Sequence, residues 1–163
     1  MVYDYYETPV GKLLLVMKPQ GLSHLHFENG RYGMRIDPEW KCDAKPFGDV
    51  HAQLDAYFAG TLTEFDLPLA PIGTPFQQAV WRELLTIAYG ETTSYGDIAR
   101  RVADVSASRA VGAANGQNPI SIIVPCHRVV GANGTLTGYG GGLPRKRFLL
   151  DHEQRHRAFA LTP

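Results

Sequence analysis

The stretch "LPLAPIGTPFQQ", residues 67–78, places Pro68, Pro71 and Pro75 within eight positions. No continuous strand or helix runs through such a segment, because each proline removes a backbone donor and fixes its own φ. Apolar residues before it gather in β-like runs, and apolar residues after it recur at helical spacing. The chain is therefore read as two units: residues 1–72, a small α+β domain with its linker, and residues 73–163, a mostly helical domain. Together they make an α+β fold.

In the first unit, "KLLLVMK" and "LSHLHFEN" read as strands separated by the turn signal "PQG". Residues 28–46 are polar and rich in turn formers, and read as a loop. Phe47, Val50, Leu54, Tyr57 and Phe58 then fall at helical spacing, with Gly60 as a stop. "LTEFDLPLAP" reads as one more strand running into the linker. Nothing in this unit gathers catalytic residue types, so its expected role is structural. His24, His26, Cys42 and His51 do not form a convincing zinc set; no metal and no cofactor are expected.

The second unit opens with a strong helix start. Thr74 is a good N-cap, Pro75 suits the first helical position and Gln77 completes a capping box. Phe76, Val80, Leu84 and Ile87 form one apolar stripe, and Gly90 marks the end. Ser94 with Asp97 starts a second helix, whose inner face is Ile98, Ala99 and Val102. After the "ADVS" turn a short helix spans roughly residues 107–116, closed by Asn118-Pro119. Two short helices joined by a tight turn fit a helix-turn-helix. The second helix, "ASRAVGAANG", carries one long side chain, Arg109. Such a bare helix either packs closely on a neighbour or approaches a narrow surface such as a DNA minor groove.

Bulk properties narrow the function classes. Net charge is zero, yet residues 1–72 hold 6 Lys/Arg against 10 Asp/Glu and residues 73–163 hold 10 against 6. The basic second unit can meet a polyanion. Two cysteines exclude a disulfide framework. The N-terminus "MVYDYYETPVGKLLL" has no basic start followed by an apolar core, and no apolar run reaches membrane length, so a cytoplasmic protein is expected.

The chemistry gathers at "SIIVPCHRVVG", residues 121–131. "SIIVPC" reads as a β-branched strand ending at Pro125, which puts Cys126 and His127 at the mouth of a sheet. A histidine with a third group orienting it can turn a cysteine into a nucleophile. Neighbours in an extended chain point to opposite faces, so His127 must reach the sulfur through a water or a local bend. Glu153 and Asp151 are the candidates for the orienting group, and the position of Asn118 suggests a turn-locking role. Downstream, Asn133-Gly134 signals a turn, and "GYGGG" offers a flexible loop with one aromatic, able to wall a pocket for a flat ring.

The segments "TPFQQAVWRELLTIAYGETTSYGDIA", "SRAVGAANGQNP", "PCHRVVGANG" and "GYGGGLPRKRFLL" together resemble the O6-alkylguanine-DNA alkyltransferase family. The resemblance spans roughly residues 73–153 in order and spacing. The first unit resembles the family's N-terminal domain, with an RNase H-like arrangement of sheet and helix. The resemblance implies a repair protein that flips O6-alkylguanine, chiefly O6-methylguanine, out of double-stranded DNA and moves the alkyl group irreversibly to its own cysteine. It implies Cys126 as acceptor, His127 as water-mediated base, Glu153 as its orienter and Asn118 as the residue that supports the turn. It implies further that Tyr95 contacts the base and helps rotate it, and that Arg109 fills the gap in the duplex, within a minor-groove surface of Ala107, Ser108, Ala110, Ala113 and Asn115. On the same resemblance the carbonyls of Cys126 and Val129 are expected to read the guanine amino edge, Tyr139 to wall the alkyl pocket and Lys146 to lie near it. Where family members can carry serine after the loop tyrosine, this chain has Gly140, whose backbone N–H remains as a donor and whose size widens the pocket. A monomer is expected, with cooperative assembly on DNA left open. The competing classes are a DNA-binding regulator that senses alkylation without repair, and a cysteine hydrolase, for which no oxyanion hole is evident.

Overall fold

The computed structural model describes residues 1–30 and 34–161, with side chains through Arg157. The N-terminal part is a four-stranded sheet covered by one helix. Strands β1 (Val2–Thr8), β2 (Gly11–Lys18) and β3 (Gly21–Phe27) form an antiparallel meander, and the two-residue β4 (Lys41–Cys42) adds parallel to β1. The spatial order is β3-β2-β1-β4. Helix α1 (Gly48–Phe58) buries Val50, Leu54 and Tyr57 in the common core. β2 and β3 match the two predicted strands. β1 was not foreseen, and β4 lies in the stretch read as loop.

The free edge of β3 would expose unpaired backbone groups, a liability that folds must cover. Two segments cover it. Leu22 exchanges backbone bonds with Pro68 and Ala70 at 2.9 and 2.8 Å, and Leu25 does the same with Pro119 and Ser121 at 2.9 and 3.1 Å. "LTEFDLPLAP" is thus an extended linker with a single bridge, Leu22 to Leu69, rather than a strand. Gly21 is required here: its φ is +144°, and a Cβ would lie 2.5 Å from the Pro68 carbonyl oxygen. The same edge fixes Pro119–Ser121, the approach to the cysteine.

The C-terminal part is helical: α2 (Pro75–Leu84), α3 (Tyr95–Val102), α4 (Ser108–Gly116) and α5 (Leu143–Leu161). The capping box forms as predicted, with Gln77 N–H donating to Thr74 Oγ1 at 3.1 Å and Thr74 N–H to Gln77 Oε1 at 2.9 Å. Ser94 caps α3 through the Asp97 N–H at 3.1 Å. α3 and α4, joined by a one-turn 3-10 helix at Val105–Ala107, make the expected helix-turn-helix. The Trp81 indole N–H donates to the Ala114 carbonyl at 2.9 Å and seats α4 on α2. α2 stops at Leu84, earlier than the apolar stripe suggests, and Thr86 and Ile87 follow in tight turns.

The "SIIVPC" run is the main departure. It is a coil of turns, not a strand. Ile123 N–H donates to the Ser121 carbonyl and Val124 N–H to the Ile120 carbonyl, at 2.8 and 3.0 Å. Ile122 adopts φ +72°, a costly conformation for a β-branched residue. The Asn118 side chain locks the coil. Its Nδ2 donates to the Val124 carbonyl at 2.8 Å, and its Oδ1 accepts from the Ile120 N–H at 3.0 Å. A β-branched composition is satisfied as well by full burial as by a ladder.

Burial also makes the fold acid-sensitive. His24, His26, His127 and His152 are all held below the ordinary imidazole value, chiefly by desolvation, His24 down to about 4. The unfolded chain therefore takes up protons first as pH falls. The stability tied to these groups is complete above about pH 6.5 and is lost as pH drops through their folded values. Thermal melts are expected to show a midpoint that falls steadily from neutral to mildly acidic pH, and a flat midpoint over that range would contradict it.

Candidate active site

Cys126, His127 and Arg128 form a one-turn 3-10 helix directly after Pro125. This turn is the local bend that the sequence required: it replaces the expected sheet mouth and lets neighbouring side chains serve one site. Val129–Val130 (β6) then pairs in parallel with Thr93–Ser94 (β5), so the start of α3, and Tyr95 with it, is fastened beside the cysteine turn.

Cys126 is 4 % exposed. Burial pushes its thiol above the ordinary range, while the Asn118 side chain, the Lys146 ammonium and backbone N–H groups pull the other way. The resting group is therefore a thiol that needs a base. His127 is fully buried, and its Nε2 lies 2.7 Å from Glu153 Oε2. Its Nδ1 makes no hydrogen bond with the protein. A neutral imidazole donating from Nε2 leaves Nδ1 as an acceptor. Desolvation, with Arg128 and Lys146 nearby, holds His127 neutral against the pull of Glu153.

Glu153 organises the site. Its carboxylate receives Arg128 Nε at 2.8 Å and Nη2 at 3.1 Å, the Tyr57 hydroxyl at 2.7 Å and the Gly90 N–H at 3.2 Å, besides His127. These partners, led by His127 and helped by Arg128, hold the carboxyl far below the usual range despite its burial. The choice between Glu153 and Asp151 is settled by helix geometry. Two residues of α5 differ by about 200° in direction, so Glu153 points inward while Asp151 is exposed.

Arg128, Tyr57 and Gly90 were not identified from the sequence. Arg128 had a readable signal: an arginine inside an apolar run must find a carboxylate if it is buried. Its remaining Nη1 donates to the Ile87 carbonyl at 2.7 Å, which draws on the backbone where α2 has ended.

Lys146 is fully buried and donates to the carbonyls of Val129, Thr137 and Gly138 at 2.7, 2.8 and 3.3 Å. Desolvation lowers it to about 8. It thereby pins the glycine loop to β6. The Tyr95 hydroxyl donates to the same Thr137 carbonyl at 3.1 Å. Tyr139 packs edge-on to Phe27 of β3, ring centroids 5.9 Å apart, and a Cβ at Gly141 would lie 2.6 Å from that Phe27 ring. The loop is thus backed by the N-terminal sheet.

The cavity against the cysteine is lined by His26, Phe27, Asn118, Cys126, Tyr139 and Gly140, among others, and holds about 20 Å³. That is room for a single water. Beyond it a chamber of about 230 Å³ opens between Tyr95, Gly112, Ala113 and the Gly138–Gly140 loop. Gly140 does not by itself produce a wide pocket. Arg109, Ala110 and Ala113 are exposed along α4, with Ala107 and Ser108 half-buried at its start. Asn115, expected on the same face, instead points inward; it is 4 % exposed and its Nδ2 lies 3.4 Å from the Cys126 carbonyl oxygen.

A thiol, a relayed base and an adjoining helix-turn-helix define a DNA-directed group-transfer protein. Models of the 6-O-methylguanine DNA methyltransferase match it twice, the ribonuclease-like domain at residues 1–71 and the DNA-binding domain at 75–155. A methylated-DNA–protein-cysteine methyltransferase of Methanosarcina acetivorans is 50% identical over 153 residues, covering 94% of this chain and 98% of the relative. The Mycobacterium tuberculosis H37Rv protein of the same name is 50% identical over 163 residues, 98% and 96%. The crystal structure of M. tuberculosis OGT in complex with DNA superposes with a TM-score of 0.91 at 51% identity, covering 96% of this chain and 94% of that one. The chain belongs to the methylated-DNA–protein-cysteine methyltransferase family. Among the described residues, no helix is long and apolar enough to cross a membrane.

Proposed function

We propose that the protein repairs O6-alkylguanine, chiefly O6-methylguanine, by extruding it from the duplex and moving the alkyl group irreversibly to Cys126. The observation that carries this reading is the buried Cys126 thiol beside a neutral His127 whose Nε2 is held by Glu153 at 2.7 Å. Residues 73–163 bind DNA and carry out the transfer, and residues 1–72 brace them. The basic second unit supplies phosphate attraction that is independent of sequence. Arg109, Ala107, Ser108, Ala110 and Ala113 form the minor-groove surface, and Arg109 occupies the space of the extruded base.

The small inner cavity means that guanine enters by displacing the Gly138–Gly140 loop, whose glycines tolerate the change. Tyr95 then exchanges its Thr137 contact for the base. The carbonyls of Cys126 and Val129 accept from the amino edge, and the Gly140 N–H donates to O6. Asn118 holds the turn beneath the sulfur. The thiol proton passes through a water to His127 Nδ1. Sulfur attacks the alkyl carbon, the carbon–O6 bond breaks, and its electron pair stays with guanine, which takes a proton from Tyr95; the proton that His127 accepted then passes through water to restore the Tyr95 hydroxyl. Thiol and alkylguanine become thioether and guanine, so no co-reactant is consumed. Among the described residues no second activated nucleophile adjoins the sulfur, so each molecule acts once.

Cys126→Ala tests the acceptor. It is expected to abolish transfer from O6-methylguanine duplex, and peptide mapping of the wild type is expected to place the alkyl group on Cys126 and not on Cys42. Transfer that survives in the variant would overturn the assignment.

A further inference from the structure

Most of the donors around Glu153 come from the C-terminal part, but one comes from α1. Tyr57 is fully buried, packed edge-on to Phe58 and against Phe65 and His152. It is held at both ends: its carbonyl lies 2.7 Å from His152 Nε2, and its hydroxyl donates to Glu153 Oε2 at 2.7 Å. That oxygen is the one that holds His127 Nε2, also at 2.7 Å. Packing alone would be served by phenylalanine. A phenol donating to a buried carboxylate draws charge from the oxygen it contacts, and here Tyr57, His127 and, at 3.1 Å, Arg128 Nη2 share that oxygen.

We infer that Tyr57 is a positioning residue of the Cys126–His127–Glu153 relay: from the N-terminal half, its hydroxyl fixes the carboxylate oxygen that orients His127 and limits the negative charge offered to the imidazole. The inference rests on the transfer reading above. It gives residues 1–72 a part in the chemistry beyond bracing.

The sign follows from the surroundings. Arg128 faces the carboxylate from the cysteine turn, and Tyr89 lies under its guanidinium at 5.7 Å. Lys146 opposes a charged His127 from α5, and His152 is occupied by the Tyr57 carbonyl. Cys126 and Tyr139 lie on the sulfur side of the site. Removing one hydroxyl leaves these contacts in place and frees charge on Glu153. The protonated imidazole gains, so His127 must be titrated to higher pH before it can accept the thiol proton.

The test compares full-length wild type and Tyr57→Phe in transfer from O6-methylguanine duplex, from mildly acidic to mildly alkaline pH. The variant's profile is expected to move to higher pH, lowering its acid-to-alkaline rate ratio by about threefold or more. Nitrogen NMR of His127 is expected to move with it. Fluorinated tyrosine encoded at position 57 keeps the ring and is a stronger donor, so it is expected to move the profile to lower pH, and it serves if Tyr57→Phe does not fold. Profiles that superimpose after scaling, or that move the same way in both variants, would overturn the inference, since loss of packing slows transfer equally at every pH. If the wild type itself transfers nothing, the functional reading fails instead.

Discussion

Glu153→Ala is expected to lower stability by about 3–5 kcal/mol and to slow alkyl transfer by about a hundredfold or more. The stability loss comes from Arg128. Its guanidinium is 7 % exposed and makes a two-pronged pair with Glu153, at 2.8 and 3.1 Å. Without the carboxylate, a cation and the buried Tyr57 hydroxyl lose their partner together. Denaturant titration measures this loss. Glu153→Gln separates stability from chemistry. Its amide can donate to His127 Nε2, which places the imidazole proton on Nδ1, where the thiol proton must be accepted. The wrong tautomer costs rate even where the fold survives. A Glu153→Gln protein with the wild-type rate and pH profile would remove Glu153 from the relay.

The second large effect is selective. Arg109→Ala is expected to slow repair of O6-methylguanine in duplex DNA by about ten- to a hundredfold. It should leave reaction with free O6-benzylguanine within about twofold, because the free base needs no extrusion. Arg109 is exposed on α4, so stability should stay within about 0.5 kcal/mol. Equal losses on both substrates would place Arg109 in the chemistry rather than in the duplex gap.

What could be read from the sequence depended on whether a residue's task was local. The Thr74–Gln77 capping box is written in four consecutive residues and forms as such. The α3–α4 pair and the small face of α4 likewise follow from spacing. "SIIVPC" misled because β-branched residues signal burial, while the course of the backbone is set from outside the run, by Asn118 and by the edge of β3. β1 was missed because Tyr3, Tyr5 and Tyr6 break a clean alternation; its register with β2 supplies the evidence. The Glu153 cluster joins α1, the end of the α2 turn, the cysteine turn and α5. Residues 57, 90, 128 and 153 meet through tertiary packing, so no local pattern joins them. Gly140 shows the same limit: its missing side chain suggested a wider pocket, yet Phe27 and the Lys146 contacts keep the loop closed.

Repair here rests on a single transfer to one sulfur. Incubation with an excess of O6-methylguanine duplex, followed by intact-protein mass, measures it. Every molecule is expected to gain one methyl group, an equal amount of O6-methylguanine in the duplex to become guanine, and the reaction then to stop. Demethylation of the duplex continuing beyond one equivalent of protein, or a protein mass unchanged while the DNA is repaired, would contradict it.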